Sequence, residues 1–333
     1  MLKVNELFAG IGAFRKALLR MGIPHEVVGI SEIDKYAIKS YNAMYGDTRN
    51  YGDISKVDKL DCADLWTYGF PCQDISLAGK QLGIVKGETR SGLLFEVQRL
   101  LTQAALDDEL PKYLIMENVK NLVGKKFKAD FESWCDWLDG LGYNNYWQVM
   151  SAADYGIPQA RERVFCISVR KDIDTGYVFP SPTELTEFLI DKLEPVENIE
   201  EKYYLSEYVV ESYYRKNEYN EQNGIGFRFS PIDRSEARIA KTITTKEGQR
   251  EYNNYIKEYD KGKKSTIRRF TPRECWRVTG FDDTDFDKAQ VVNSDTQLYK
   301  QAGNSIGVNI VEALLGNLLI KERSDWLDAL LAS

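Results

Sequence analysis

The chain has 333 residues, 43% of them hydrophobic and 29% charged, with a formal net charge of −7. That length can bury a substantial core in one large or two modest domains, and no apolar run reaches the roughly 18 residues of a membrane span. Met1-Leu2-Lys3-Val4-Asn5 lacks the basic start of a secretory signal, and the odd, scattered cysteines (Cys62, Cys72, Cys135, Cys166, Cys275) form no CxxC pair, so neither a disulfide framework nor a metal cage is encoded and a cytoplasmic location is expected.

Along the first half, short apolar runs alternate with amphipathic stretches. Residues 4–8, 27–31, 65–70, 113–117, 147–152 and 164–169 predict strands, and 14–21, 36–45, 93–105 and 131–141 carry apolar residues at helical spacing. This alternation predicts an α/β fold with a mostly parallel sheet and helices on both faces. Ligands of such sheets bind beyond the carboxyl ends of the strands. His25, the single histidine, stands before the second strand and reads as a strand-entry residue, so any catalysis must rest on Cys, Glu, Asp, Arg or a cofactor.

Near Phe179-Pro180-Ser181-Pro182 the pattern changes. Tyrosines crowd (Tyr203, Tyr204, Tyr208, Tyr213, Tyr214, Tyr219), and residues 202–273 hold 16 Lys and Arg against 10 Asp and Glu. A local basic face attracts phosphate whatever the overall charge, although a solvated lobe would read the same way. Residues 1–183 are expected to form one domain, 184–280 a second, and 281–333 a hinge and C-terminal segment that returns to the first. A helix over 304–319 is expected to make that return.

Several constellations carry chemistry. Phe8-Ala9-Gly10-Ile11-Gly12 links the first strand to the first helix, but the third glycine of a dinucleotide fingerprint is replaced by Arg15, which disfavours a pyrophosphate. Glu32, at the end of the second strand, can accept from ribose hydroxyls, and Asp53-Ile54 can meet an adenine amino group and face. A plain strand-to-helix turn is the competing reading. Phe70-Pro71-Cys72-Gln73 ends the third strand, where a cysteine is either a small buried hydrophobe or a nucleophile. Residues 79–92 form a glycine-punctuated segment with Lys80, Lys86, Arg90 and Ser91, suited to close on an anion. Glu117-Asn118-Val119 ends an apolar strand, where desolvation would favour the protonated carboxyl and proton donation. In Gln159-Ala160-Arg161-Glu162-Arg163, alternate arginines would project to one side and grip an oxygen or orient a carboxylate.

Taken in order, these motifs, with Thr271-Pro272-Arg273-Glu274-Cys275 and Gln301-Ala302-Gly303-Asn304-Ser305, resemble the cytosine-5 DNA methyltransferase family of bacteria and phages. Only about residues 185–267 fall outside the match, the interval that varies with the recognised target in that family. Residues 87–94 look most like members that include CpG-specific enzymes. The resemblance implies a Rossmann-like S-adenosylmethionine-dependent methyltransferase sheet with a smaller target-recognition domain and a cleft for double-stranded DNA. It implies Cys72 as the nucleophile on cytosine C6, with Glu117, Arg161 and Arg163 as its catalytic partners and a flipped-out base.

S-adenosyl-L-methionine, leaving as S-adenosyl-L-homocysteine, would contact Phe8, Gly10, Gly12, Glu32, Ile33, Asp53, Ile54, Phe70, Pro71, Leu93, Asn304 and Ser305. Ser76, Arg90, Ser91 and Thr244 would touch DNA. Two departures stand out: Gly12-Ala13 replaces a frequent glycine pair, and Ile33 an aromatic residue that would stack on adenine. No metal is implied, the chain is expected to act as a monomer, and a separately acting restriction endonuclease is a candidate partner. The competing expectations are a tRNA cytosine-5 methyltransferase and a catalytically silent DNA-binding relative.

Overall fold

The computed structural model describes residues 1–71, 90–224, 228–247, 254–259 and 266–320. In chain order these form β1 (Leu2–Leu7), α1 (Ala13–Arg20), β2 (His25–Ser31), α2 (Lys35–Tyr45), β3 (Leu65–Tyr68), α3 (Leu94–Leu106), β4 (Tyr113–Val119), α4 (Lys128–Leu141), β5 (Tyr143–Ser151), β6 (Gln159–Ala160) and β7 (Glu162–Arg170). There follow α5 (Leu189–Lys192), α6 (Glu207–Gln222), β8 (Ile232–Asp233), β9 (Ala240–Lys241), β10 (Tyr255–Lys257), β11 (Ile267–Arg269), α7 (Pro272–Arg277), α8 (Asp283–Val292), α9 (Asp295–Asn304) and α10 (Val308–Leu319). All six strands and four helices expected in the first half are present, each within a few residues of its expected bounds.

The chain divides into two compact units: Met1–Ser151, Glu162–Thr183 and the chain from Val308 make the first; Ala152–Arg161 and Glu184–Gly307 make the second. The division differs from the sequence expectation in two places. A ten-residue excursion between β5 and β7 belongs to the second unit, which also keeps α8 and α9, so the return begins at Val308.

In the first unit the sheet order is β2-β1-β3-β4-β7-β5. Strands β2, β1, β3 and β4 pair in parallel, and β7 runs antiparallel to both its neighbours. The order reverses beside β1: the chain goes from β1 outward to β2 and returns on the other side as β3. A crevice at the carboxyl ends of β1 and β3 follows from that reversal. Trp66, Leu100, Leu114, Phe131 and Leu138 are buried in the main core. Local chemistry sets the helix ends: Asp34 caps α2 by accepting from Tyr36 N–H, and Gly142 ends α4 in the left-handed region. His25 opens β2, its Nδ1–H donating to the Ile23 carbonyl at 2.7 Å.

The helix expected over 304–319 is α10, which begins four residues later than expected. Helix α9 ends at Asn304, and α10 begins at Val308 and packs on α1, where Arg20 Nε lies 2.9 Å from Glu312 Oε1. Tyr177 OH and Asn317 Nδ2 bond the Leu314 and Val178 carbonyls, fastening α10 to the segment after β7.

The second unit holds a sheet of order β11-β10-β8 and the parallel pair β6-β9. Phe229, Tyr255 and Ile267 form a small core against Tyr213 of α6, while Tyr208 and Tyr219 of the same helix face solvent. Beside it lies a buried ion network. Arg268, with no exposed surface, gives Nε to Glu258 at 2.6 Å and Nη1 and Nη2 to the two oxygens of Glu274 at 2.7 and 2.8 Å. Burial works against the Arg268 cation, but Glu274 and Glu258 outweigh it, and its pKa is raised. Arg234 also pairs with Glu258, at 2.9 Å. Part of the basic excess read from the sequence is therefore spent inside the unit rather than on its surface.

Candidate active site

The loop after β1 is shaped by backbone conformation. Phe8, Gly10 and Gly12 all have positive φ (57°, 56° and 76°), and at Phe8, which has a bulky side chain, this is a strained conformation. A Cβ at Gly10 would meet nothing within 4 Å, so the loop presents bare backbone there. Gly12 is different. A Cβ on it would lie 2.6 Å from Tyr41 Cε2 and 2.8 Å from Tyr45 Cε2, so two tyrosines of α2 require the glycine.

Gly12 is also the N-cap of α1 and has no side chain with which to cap it. The cap comes from the neighbouring strand: Glu6 Oε1 accepts from Arg15 N–H at 3.0 Å, and its other oxygen takes the Tyr41 hydroxyl. Burial pushes the Glu6 carboxyl above its ordinary value, against the lowering effect of the Tyr41 and Arg15 bonds. On the other side of the loop, Glu32 Oε2 accepts from Gly10 N–H at 2.8 Å, and Oε1 accepts from Ile33 and Asp34 N–H at 2.8 and 2.7 Å. The Gly10 N–H of the loop and the Arg15 N–H of the first turn of α1 are thus taken by glutamate side chains. This disfavours a pyrophosphate at the turn, as the missing third glycine implied.

Beside Glu32, Ile33 is 73% exposed, an apolar surface at the mouth of the crevice. Asp53 caps the next short turn, and the Ser55 hydroxyl and N–H hold its carboxyl below the ordinary aspartate value, ready to accept a further hydrogen bond. Ile54 and Phe70 are 3% and 2% exposed and pack within the core. Leu93 is partly buried against the same core.

At the tips of β3 and β4 the structure adds detail that the motifs did not carry. Glu117 and Arg163 lie on one sheet face as diagonal neighbours, because Glu117 is directly opposite Phe165 in the antiparallel register. Their side chains are 12% and 16% exposed, with Arg163 Nε 3.1 Å from Glu117 Oε1. Gly69 makes room for that carboxylate: a Cβ there would stand 3.2 Å from Glu117 Oε2. Asn118, 1% exposed, donates from Nδ2 to the Phe70 carbonyl at 3.0 Å and accepts from Val119 N–H at 2.8 Å. It ties the Glu117 strand to the main chain two residues before Cys72. Cys72, Ser76 and residues 87–89 lie outside the described residues, as do the side chains of Arg90 and Ser91.

Arg161 corrects an expectation. It was expected to share a face with Arg163 and support Glu117, but it ends the second unit's excursion, 3% exposed, with its guanidinium on main-chain carbonyls of that unit. Nη1 donates to Ile243 O at 3.0 Å, and Nη2 to Gly303 O at 3.1 Å and Ser305 O at 2.8 Å. Gln159 braces the same strand, accepting from Ile243 N–H at 3.0 Å and donating to the Val278 carbonyl. Thr244 follows Ile243, its Oγ1 accepting from Lys246 N–H at 3.3 Å. Asn304 is exposed and Ser305 buried at the end of α9.

The sequence model of the C-5 cytosine-specific DNA methylase family matches residues 2–319. The chain is 36% identical to the type II methyltransferase M2.ScrFI of Lactococcus lactis subsp. cremoris, covering 96% of this chain and 99% of that protein. It is 33% identical to the type II methyltransferase M.NlaX of Neisseria lactamica, over 94% of this chain and 95% of the relative. Among solved structures, the S. pombe Dnmt2 methyltransferase shares the fold with a TM-score of 0.76 at 22% identity, covering 97% of this chain and 99% of that one. With the motif order, the reversed β7 that pairs Glu117 with Arg163, and a match that runs almost end to end, the chain belongs to the C-5 cytosine-specific DNA methylase family.

Proposed function

We propose that the protein transfers the methyl group of S-adenosylmethionine to C5 of a flipped-out cytosine in a specific sequence of duplex DNA, with Cys72 as nucleophile. The observation that carries the reading is the Glu117–Arg163 pair, seated at a strand tip that Asn118 joins to the Phe70 carbonyl, two residues before Cys72. Cytosine C5 is a weak nucleophile. Addition of the Cys72 thiolate to C6 makes it enamine-like, while Glu117 bonds N3 and the exocyclic amine and holds the proton that N3 gains. Arg163 keeps Glu117 in place and faces the O2 side of the base.

When bound, S-adenosylmethionine supplies an electrophilic methyl group on a sulfonium. C5 takes that methyl, loses its proton, and elimination breaks the bond from Cys72 to C6. The fit of this ligand is supported by the loop itself: Glu32 occupies the Gly10 N–H that a phosphate would otherwise meet, and an acidic side chain at this mouth suits a sulfonium cation. Glu32 would take the ribose hydroxyls, Asp53 the adenine amine and Ile33 the adenine face, with Phe8, Gly10, Gly12, Pro71 and Leu93 lining the rest. Asn304 and Ser305 are the remaining candidate contacts. Ser76, Arg90, Ser91 and Thr244 would hold the DNA backbone. The enzyme would act as a monomer in the cytoplasm, with a cognate restriction endonuclease acting separately on the same sites.

Transfer of label from methyl-tritiated S-adenosylmethionine to duplex DNA, compared with tRNA, tests the reading. Label on tRNA alone, or equal label with wild type and Cys72→Ala, would overturn it.

A further inference from the structure

Arg161 holds together two stretches of chain that the proposed function gives to two different ligands. Its guanidinium joins the carbonyl of Ile243, next to Thr244, to the carbonyls of Gly303 and Ser305, on either side of Asn304. The two stretches are also in backbone contact. A Cβ on Gly303 would lie 2.3 Å from both Thr244 C and Thr245 N, so the end of α9 rests directly on the 244–245 peptide. With so little space, neither stretch can shift without moving the other, and tightly packed elements of this kind pass displacement on.

We propose that Arg161 is a positioning residue that couples the two substrates: ordering of Asn304 and Ser305 by the cofactor sets Thr244 for the DNA backbone, and DNA held at Thr244 sets Asn304 and Ser305. The inference rests on the roles proposed above for Asn304, Ser305 and Thr244. Linkage requires the effect to be reciprocal, with the same factor in both directions. The planar guanidinium, with several donors in fixed directions, can bridge three carbonyls; a lysine ammonium on a flexible stem cannot reproduce that bridge.

The test is a binding cycle on the full chain with a duplex carrying its recognised site. Duplex affinity is measured with and without saturating S-adenosylhomocysteine, and S-adenosylhomocysteine affinity with and without duplex. Wild type should gain at least about fivefold in each direction, by equal factors. Arg161→Lys should bring both factors towards one, while S-adenosylhomocysteine binding without DNA changes by less than about threefold. Gly303→Ala, which presses the end of α9 away from the 244–245 peptide without changing residue 161, should do the same.

A merely structural arginine would weaken each separate binding step and leave the factors unchanged, and that result overturns the proposal. Equal factors near one in wild type also overturn it, although both ligands bind. If wild type binds neither ligand, the functional reading fails instead.

Discussion

Glu274 is the residue whose replacement should cost the second unit most for the least change in shape. Each of its oxygens takes one main-chain N–H and one arginine N–H: Oε1 from Glu194 at 2.9 Å and Arg268 at 2.8 Å, Oε2 from Thr271 at 2.9 Å and Arg268 at 2.7 Å. In Glu274→Gln one oxygen can still accept from two of these, but the amide NH2 must face the other two donors. One buried backbone N–H and one arginine N–H then lose their acceptor, and Arg268 keeps only Glu258 as a carboxylate partner.

Removing one partner of a buried pair costs about 3–5 kcal/mol, a large share of the roughly 5–15 kcal/mol by which domains are stable. With a urea slope near ~2 kcal/mol/M, the unfolding midpoint of the second unit should fall by about 2 M. Trp276 is the only tryptophan in the sequence of that unit and is fully buried, so its fluorine NMR signal in 5-fluorotryptophan-labelled protein follows the unit specifically. A midpoint shift below about 0.5 M would refute the account of the network as an interdependent set.

Three further outcomes follow from the first unit. Glu117→Gln should lower kcat by about a hundred- to ten-thousandfold, the usual worth of a positioned acid or base, with S-adenosylhomocysteine affinity unchanged; methyl-label kinetics and calorimetry separate the two. Gly69→Ala, whose new Cβ would press on Glu117 Oε2 from 3.2 Å, should cost about tenfold in kcat through a small misplacement of that carboxylate, and unchanged kcat would contradict the close approach. Burial raises the Glu6 carboxyl above its ordinary 4.5, so its contribution to stability is greatest below that value and is lost as pH rises through the folded value. The stability of wild type relative to Glu6→Gln should accordingly decline with rising pH and then level off; an increase over that range would mean that the carboxylate, not the acid, is the form the fold prefers.

The sheet was legible because its strands and helices differ in hydrophobic period over several residues, and neighbours in sequence decide most of that pattern. The Glu117 and Arg163 positions were legible from motif order, yet their geometry depends on β7 running against β4, which no local pattern encodes. Glu6 shows how a signal can be present and unread. An acid inside the apolar run of β1 was visible, but its use as the cap of α1 depends on Gly12 having no side chain and on Tyr41 arriving from α2. The Thr271-to-Glu274 spacing of a capping box was likewise in view, whereas its partners Arg268 and Glu194 were not. Arg161 was misplaced because alternation along a strand was assumed to continue across a point where the chain passes from one unit to the other.

Three hydrogen bonds of Arg161 run to peptide oxygens, and this bears on how such a protein can diversify. Bonds to main chain put no demand on the identity of the residues they hold, apart from the glycine at 303. Residues around Ile243 can therefore be exchanged, or a segment from a relative grafted in, without rewriting the anchor. A chimera that keeps Gln159, Arg161 and Gly303 as its junctions would inherit the seat while changing what sits in it.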